Sequence, residues 1–109
     1  MKEFITRQEY KTAKEIWRCG DDDAINTEAK KRHRIMHDGM RYKVQGLCYK
    51  KFLFWHWREW SDYGRTELML HSNVWLCTYY DSEEEANEGL NHFVKKLIAE
   101  ECGFKEVLP

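Results

Sequence analysis

The sequence predicts an α+β fold in one small domain spanning residues 1–109. Three observations predict it. Helix-capping patterns occur near both ends of the chain, apolar residues between them recur with a period of two, and the last segment places its apolar residues at helical spacing. We therefore expect two N-terminal helices, an antiparallel meander sheet of three to four strands, and a C-terminal amphipathic helix packed on the sheet.

The first helix is predicted from its start signal. Thr6 and Glu9 fit a capping box, in which the threonine hydroxyl accepts from the Glu9 amide. We expect the helix to run to about Arg18 and to end at Cys19-Gly20, where glycine tolerates a left-handed exit.

The second helix is predicted from three aspartates, Asp21–Asp23, which offer an N-cap and favourable negative charge. It should run from Ala24 to about His37 and end at Asp38-Gly39. Its apolar stripe is thin and the run KKRHR at 30–34 is strongly basic, so one side should face water.

From Met40 the hydrophobic period becomes two, which is typical of strands. Short turns between successive strands predict an antiparallel meander. The expected elements are a strand at Arg41–Gln45, a break at Gly46, a long strand at Leu47–Trp60, a turn at Ser61–Gly64, a strand at Thr66–His71, a tight connection at Ser72-Asn73 and a strand at Val74–Tyr80.

The last helix has the clearest signal. A second capping box at Ser82–Glu85 opens it, and Gly103 should end it. Its inner face is predicted to carry the apolar residues at helical spacing, which are Ala86, Leu90, Phe93, Val94, Leu97 and Ile98.

The predicted strand Leu47–Trp60 is unusually aromatic. Side chains alternate along a strand, so Leu53, Trp55 and Trp57 should point to one side. Phe52, Phe54, His56 and Trp60 should point to the other. Both faces are then apolar, so either helices cover both or one face is left for a partner.

Charge is distributed unevenly along a chain whose net charge is −1. Between residues 29 and 58, Asp38 is the one acidic residue, whereas residues 81–109 are acidic. A basic region of this kind attracts an anionic partner, or else it folds against the acidic C-terminal part of the same chain and the charges cancel. The nine basic residues of the central region are Lys30, Lys31, Arg32, Arg34, Arg41, Lys43, Lys50, Lys51 and Arg58.

The four cysteines are expected to be reduced and mostly buried, because the N-terminal segment has no apolar stretch typical of an export signal. No apolar run approaches the ~20 residues that a membrane-spanning helix needs. We therefore expect a cytoplasmic protein without a membrane partner.

Catalytic and metal-binding patterns are weak. His33 and His37 are four apart on a predicted helix but have no further ligands nearby, and a helix cap explains Asp21–Asp23. Cys48 with His56, or Cys77 with His71, can meet across strands, which leaves a small Cys/His enzyme as the third hypothesis. We expect no catalytic residues, metal or cofactor.

Two binding hypotheses remain. The first is a non-enzymatic protein that binds a protein or nucleoprotein partner, with a homodimer as one version. Its expected contact residues are Phe52, Phe54, Trp55, Trp57, Trp60 and Arg58. The second is a nucleic-acid-binding protein that stacks bases on aromatic residues within the basic-aromatic face of residues 30–58. Its expected contacts are Lys30, Lys31, Arg32, Arg34, Arg41, Lys43, Lys50 and Lys51.

The general appearance of the chain is that of compact, tryptophan-rich accessory proteins of phages and mobile elements. The expectation that follows is a small regulatory protein that inhibits a host nucleoprotein or defence complex. Size and composition carry this expectation, since no sequence motif accompanies it.

Overall fold

The structure is a computed structural model that describes residues 2–102. It contains a four-stranded antiparallel sheet, a separate two-stranded ribbon and three helices, the last of which packs on the sheet. The predicted α+β fold class is confirmed. In chain order the elements are β1 (Glu3–Phe4), α1 (Arg7–Cys19), α2 (Asp22–Lys31), β2 (His33–His37), β3 (Tyr42–Phe52), β4 (Trp55–Asp62), β5 (Gly64–Met69), β6 (Ser72–Cys77) and α3 (Glu83–Cys102).

All three predicted helix starts are confirmed by their caps. The Thr6 hydroxyl accepts from the Glu9 amide at 3.1 Å, Asp21 accepts from the Ala24 amide at 2.7 Å, and Ser82 accepts from the amide three residues on at 3.2 Å. Each cap satisfies an amide that the first turn of a helix leaves without a partner. The predicted end of α3 at Gly103 lies outside the described residues.

The end of α1 differs from the prediction in its conformation. Gly20 has φ −75° and is extended, so it does not make the expected left-handed exit. A Cβ at this position would lie 2.6 Å from the carbonyl oxygen of Ile16. Glycine is therefore required by a close approach to the last turn of the helix.

The predicted extent of α2 is wrong at its C-terminal end. The helix stops at Lys31, and His33–His37 forms the edge strand β2, antiparallel to β3. The segment HRIMH alternates large side chains as a strand does, and pairing with β3 outweighs the weak helical stripe in this part of the sequence.

The predicted long strand Leu47–Trp60 is a hairpin. β3 continues through Gly46 without the expected break, the chain turns at Leu53-Phe54, and β4 returns beside β3 with Phe52 opposite Trp55. Leu53 lies in the turn and has a left-handed backbone conformation, with φ 54°. No glycine or asparagine marks this turn, so the pattern that usually indicates a hairpin is missing.

The hairpin changes which aromatic residues share a face. Directly paired residues lie on the same side of a sheet, so Phe52 and Trp55 lie together, and Trp57 follows two residues later on that side. The prediction that placed Phe52 opposite Trp55 and Trp57 is wrong. Trp60 and His56 lie on the other face.

Tyr63 links the sheet to the ribbon, where a turn was expected at Ser61–Gly64. Its amide donates to the Val44 carbonyl at 3.1 Å, and its carbonyl accepts from the Thr78 amide at 3.0 Å. The chain therefore passes from β4 into β5 in extended conformation. The tight connection of the ribbon lies at Leu70-His71, two residues earlier than predicted, and β6 ends at Cys77, before the predicted Tyr80.

Gly46 has a packing role in place of the predicted strand break. A Cβ at this position would lie 2.6 Å from the Tyr63 hydroxyl oxygen, so the tyrosine ring passes directly over the glycine. The same ring stacks on Phe93 of α3 with 3.8 Å between ring centroids. Glycine in β3 thus lets Tyr63 join the sheet to the C-terminal helix.

The main buried cluster lies among the helices. Trp17, Ala29 and Val94 are buried there, one from each helix. The predicted inner face of α3 is consistent with this, since Ala86 and Val94 are its buried residues. The partly buried residues that complete the cluster are Ile16, Ile25, Leu90, Leu97 and Ile98.

Candidate partner-binding surface

Large apolar side chains meet at the turn between β3 and β4. The pairing of Phe52 with Trp55 brings two rings together at the end of the hairpin. The short strand β1 adds a third ring, because Phe4 lies opposite Trp57. We call this group the hairpin-tip surface, and its members are Phe4, Phe52, Leu53, Phe54, Trp55 and Trp57.

The rings of the hairpin-tip surface form an open groove of about 460 Å³. Phe4 and Trp55 make an edge-to-face contact with 5.9 Å between centroids. The Lys2 ammonium lies 4.7 Å from the centroid of the Trp57 ring, a cation–π distance. The contacts between neighbouring rings hold the groove in shape, and one basic group lies at its border.

Most of this surface is in contact with solvent. Phe54 is 92% exposed and Trp55 is 63% exposed, and among the six residues only Trp57 is half-buried. Helix α1 contacts the opposite face of the hairpin, where Tyr10 packs on His56 with 5.1 Å between centroids. Among residues 2–102, the fold therefore covers one side of this aromatic hairpin and leaves the other uncovered.

Trp60 and Arg58, both predicted as partner-binding residues, lie on the face opposite Phe52, Trp55 and Trp57. Trp60 is half-buried beneath the Arg34 guanidinium, 4.1 Å from the ring centroid. Arg58 donates two hydrogen bonds to the Glu3 carboxylate, at 2.7 and 2.8 Å. This bidentate pair raises the pKa of Arg58 and lowers that of Glu3, and it ties β1 to β4.

Arg32 is not available as a surface cation. Its side chain is buried between the rings of Trp17 and Tyr49, at 4.8 and 4.6 Å from the two centroids. The guanidinium pairs with Glu28 at 3.1 Å and donates to the Ala13 carbonyl at 2.7 Å. It therefore connects α1, α2 and β3 inside the protein.

Three further residues of the predicted basic face are in ion pairs. Lys43 pairs with Asp62 at 3.2 Å, Lys50 with Glu59 at 2.6 Å, and Arg41 with Asp38 at 3.8 Å. The Asp62 pair raises the pKa of Lys43, and the Glu59 pair raises that of Lys50. Among residues 2–102, the basic residues of this face with no ion pair are Lys30, Lys31, Arg34 and Lys51.

The histidine pair predicted on a helix lies on β2 instead. The buried His33 ring has both nitrogens engaged, with the Ala29 carbonyl at 2.6 Å and the Tyr63 hydroxyl at 2.7 Å. His37 stacks on Tyr42 with 4.1 Å between centroids. Over the described part of the chain there is no cluster of three metal-binding side chains.

The cysteine–histidine pairs of the enzyme hypothesis do not form. Cys48 lies opposite Glu59, and His56 lies opposite Lys51. The two pairs are three register positions apart, and because side chains alternate along a strand, those of Cys48 and His56 point to different faces. Cys77 lies opposite Gly64 at one end of the ribbon, whereas His71 is in the turn at the other end.

Two features of the exposed apolar surface were missed in the sequence. Phe4 belongs to the hairpin-tip surface because of β1, a strand of two residues that is too short to leave a periodic signal. The β5–β6 ribbon was expected as part of the meander sheet, yet it is separate from the sheet, and Leu68, Leu70 and Trp75 on it are exposed.

Comparison with protein-family models, curated proteins and solved structures finds no match for this chain. In the part of the chain that the structure describes, no helix combines the length and apolar character needed to cross a bilayer.

Proposed function

We propose that this protein binds a protein or nucleoprotein partner through the hairpin-tip surface, and that it regulates the partner by occupying part of its surface. The observation that carries the proposal is the cluster of large apolar side chains left in water at one end of the sheet. Apolar patches of this kind on a monomer mark interaction sites.

Burial of these side chains supplies the driving force. A large apolar side chain contributes about 1.5–3 kcal/mol when it moves fully from water into an apolar environment. Folding leaves most of this contribution unused, since Phe54 is almost fully exposed and Trp55 keeps more than half of its surface in water. Tryptophan is also among the residues that dominate binding energy at protein interfaces.

The backbone conformation of Leu53 also supports a binding role for the hairpin-tip surface. It has φ 54°, where a residue with a side chain costs about 1–2 kcal/mol relative to the right-handed region. Glycine or asparagine fits such a turn better. A strained and exposed leucine does not stabilise the hairpin. Its presence at this position is explained if its side chain contacts a partner.

The border of the surface indicates the chemistry of the partner. Lys2 lies at the aromatic groove. Lys51 is on the opposite face of the hairpin and lines a neighbouring pocket with Phe54 and Trp55, whereas Lys50 is neutralised by Glu59. The fitting partner has an apolar pocket bordered by acidic groups, which the two lysines would orient and attract.

Nucleic acid is the second candidate, because the exposed Phe54 and Trp55 beside Lys51 could stack unpaired bases. The charge distribution favours it less than a protein. Arg32 is buried and three other residues of the basic face are paired with carboxylates, so the cations do not form one continuous track.

The test is affinity capture from a lysate of the source organism, with and without nuclease, using the wild type and two single variants, Phe54→Ser and Trp55→Ser. Met40→Ser is the matched control, since Met40 is an exposed apolar residue outside the hairpin-tip surface. We expect a protein that resists nuclease, is retained by the control, and is lost with both hairpin variants.

Circular dichroism must show that the variants are folded, which their exposure predicts. Equal recovery with Phe54→Ser, Trp55→Ser and wild type would refute the assigned surface. Loss of all captured material on nuclease treatment would instead favour the nucleic-acid hypothesis.

A further inference from the structure

The β5–β6 ribbon is a second exposed element, independent of the hairpin-tip surface. Within residues 2–102 its strands pair only with each other. An isolated two-stranded ribbon is marginally stable in water. The apolar side chains it exposes include Leu68, Leu70 and Trp75.

The register shows which backbone groups of the ribbon lack a partner strand. The Thr78 amide donates to the Tyr63 carbonyl, so this pair is hydrogen-bonded. Because hydrogen-bonded and non-hydrogen-bonded pairs alternate along an antiparallel ladder, Asn73, Trp75 and Cys77 direct their amides and carbonyls away from β5. They form a free edge on β6.

Within the part of the chain that the structure describes, this edge lacks the usual devices that prevent strand pairing. The β6 sequence SNVWLC contains no charged residue and no proline, whereas β5 carries Arg65 and Glu67. Natural edge strands are usually protected by charges, proline or a covering element. The β6 edge is therefore open to another strand, and the β5 edge is less so.

Exposed apolar side chains lie beside this edge. Trp75 on β6 is 54% exposed, and Leu68 on the neighbouring strand β5 is 73% exposed. Removal of apolar surface from water favours association. A second strand beside β6 would therefore bury part of the Trp75 side chain.

We propose that β6 pairs antiparallel with β6 of a second copy, which makes a four-stranded sheet in the order β5-β6-β6-β5 across a two-fold axis. A strand that pairs antiparallel with itself satisfies two-fold symmetry. No like charges meet, because β6 has none. Leu68 and Trp75 share one face of the ribbon, so the two copies join these residues into one apolar face.

A matched pair of proline variants tests this arrangement. Asn73→Pro removes an outward amide from the β6 edge, and Thr66→Pro removes an outward amide from the β5 edge. Neither removes a hydrogen bond between β5 and β6, so both place the same kind of backbone change in the ribbon. Light scattering after size-exclusion chromatography gives the mass of each.

The wild type and Thr66→Pro are expected to have the mass of a dimer, twice 13.3 kDa, and Asn73→Pro that of a monomer, 13.3 kDa. All three are expected to give the same circular dichroism spectrum. A wild type of 13.3 kDa at tens of micromolar, a dimer that survives Asn73→Pro, or equal loss of the dimer in both variants would overturn the proposal. Each result is independent of partner capture through Phe54 and Trp55.

Discussion

The Tyr63 hydroxyl donates a hydrogen bond to Nε2 of His33, at 2.7 Å, in the interior between the sheet and the helices. This direction follows from the other ring nitrogen. Nδ1 lies 2.6 Å from the Ala29 carbonyl, which can only accept, so the neutral ring carries its proton on Nδ1. Burial raises the pKa of Tyr63 to about 12, which keeps the hydroxyl protonated as the donor.

Replacement of Tyr63 by phenylalanine should destabilise the fold. The ring keeps its stack on Phe93, but Nε2 of buried His33 loses its donor. An unsatisfied buried polar group costs about 1–3 kcal/mol, and the free energy of unfolding in urea should fall by that amount. Tyr79→Phe is the control, because Tyr79 is exposed. A loss of equal size in both variants would show that the His33 contact is without effect.

Stability should also depend on the protonation of His33. Desolvation lowers its pKa in the folded state, opposed in part by the hydrogen bond to the Ala29 carbonyl. Below the ordinary value of about 6.5 the unfolded chain binds a proton that folded His33 does not. The contribution is thus fully present above that value and is lost as the pH falls towards the folded-state pKa.

We expect the free energy of unfolding to decrease from about pH 7.5 to about pH 5.5, a range in which carboxylates stay ionised. His33→Gln should flatten this dependence, and His71→Gln, at an exposed position, should leave it unchanged. An unaltered slope in His33→Gln would assign the effect to other groups.

The sequence allowed prediction of the parts of the fold that depend on local chemistry. The helix starts at Thr6, Asp21 and Ser82 were found because a capping side chain and its amide are only three residues apart. The alternation of β3 was visible for the same reason. These signals require no knowledge of where the rest of the chain lies.

The errors occurred where distant residues decide the structure. Gly46 looks like a strand break, but it is needed because Tyr63, seventeen positions later, lies over it. The turn at Leu53 has no turn residue. The burial of Arg32 depends on Trp17 and Tyr49, so the basic face appeared larger in the sequence than it is in the structure.

Leu53→Asn should stabilise the hairpin while it weakens partner binding. Asparagine tolerates the left-handed region better than leucine, and relief at φ 54° should raise the free energy of unfolding by about 1 kcal/mol. Phe54→Asn is the control, since Phe54 does not have positive φ, and it should give no gain. A hairpin that Leu53→Asn destabilises would contradict the assigned strain.

Arg32→Lys should destabilise the protein although it keeps the charge. Lysine lacks the planar fork with which Arg32 contacts Glu28 and the Ala13 carbonyl and stacks on rings. Charged hydrogen bonds contribute about 1.5–3 kcal/mol, so we expect a loss of about 2 kcal/mol in urea unfolding. Lys31→Arg, at the exposed neighbouring position, should stay within about 0.5 kcal/mol of wild type. Equal stability of both variants would show that the contacts of the Arg32 guanidinium with Glu28 and the Ala13 carbonyl do not stabilise the fold.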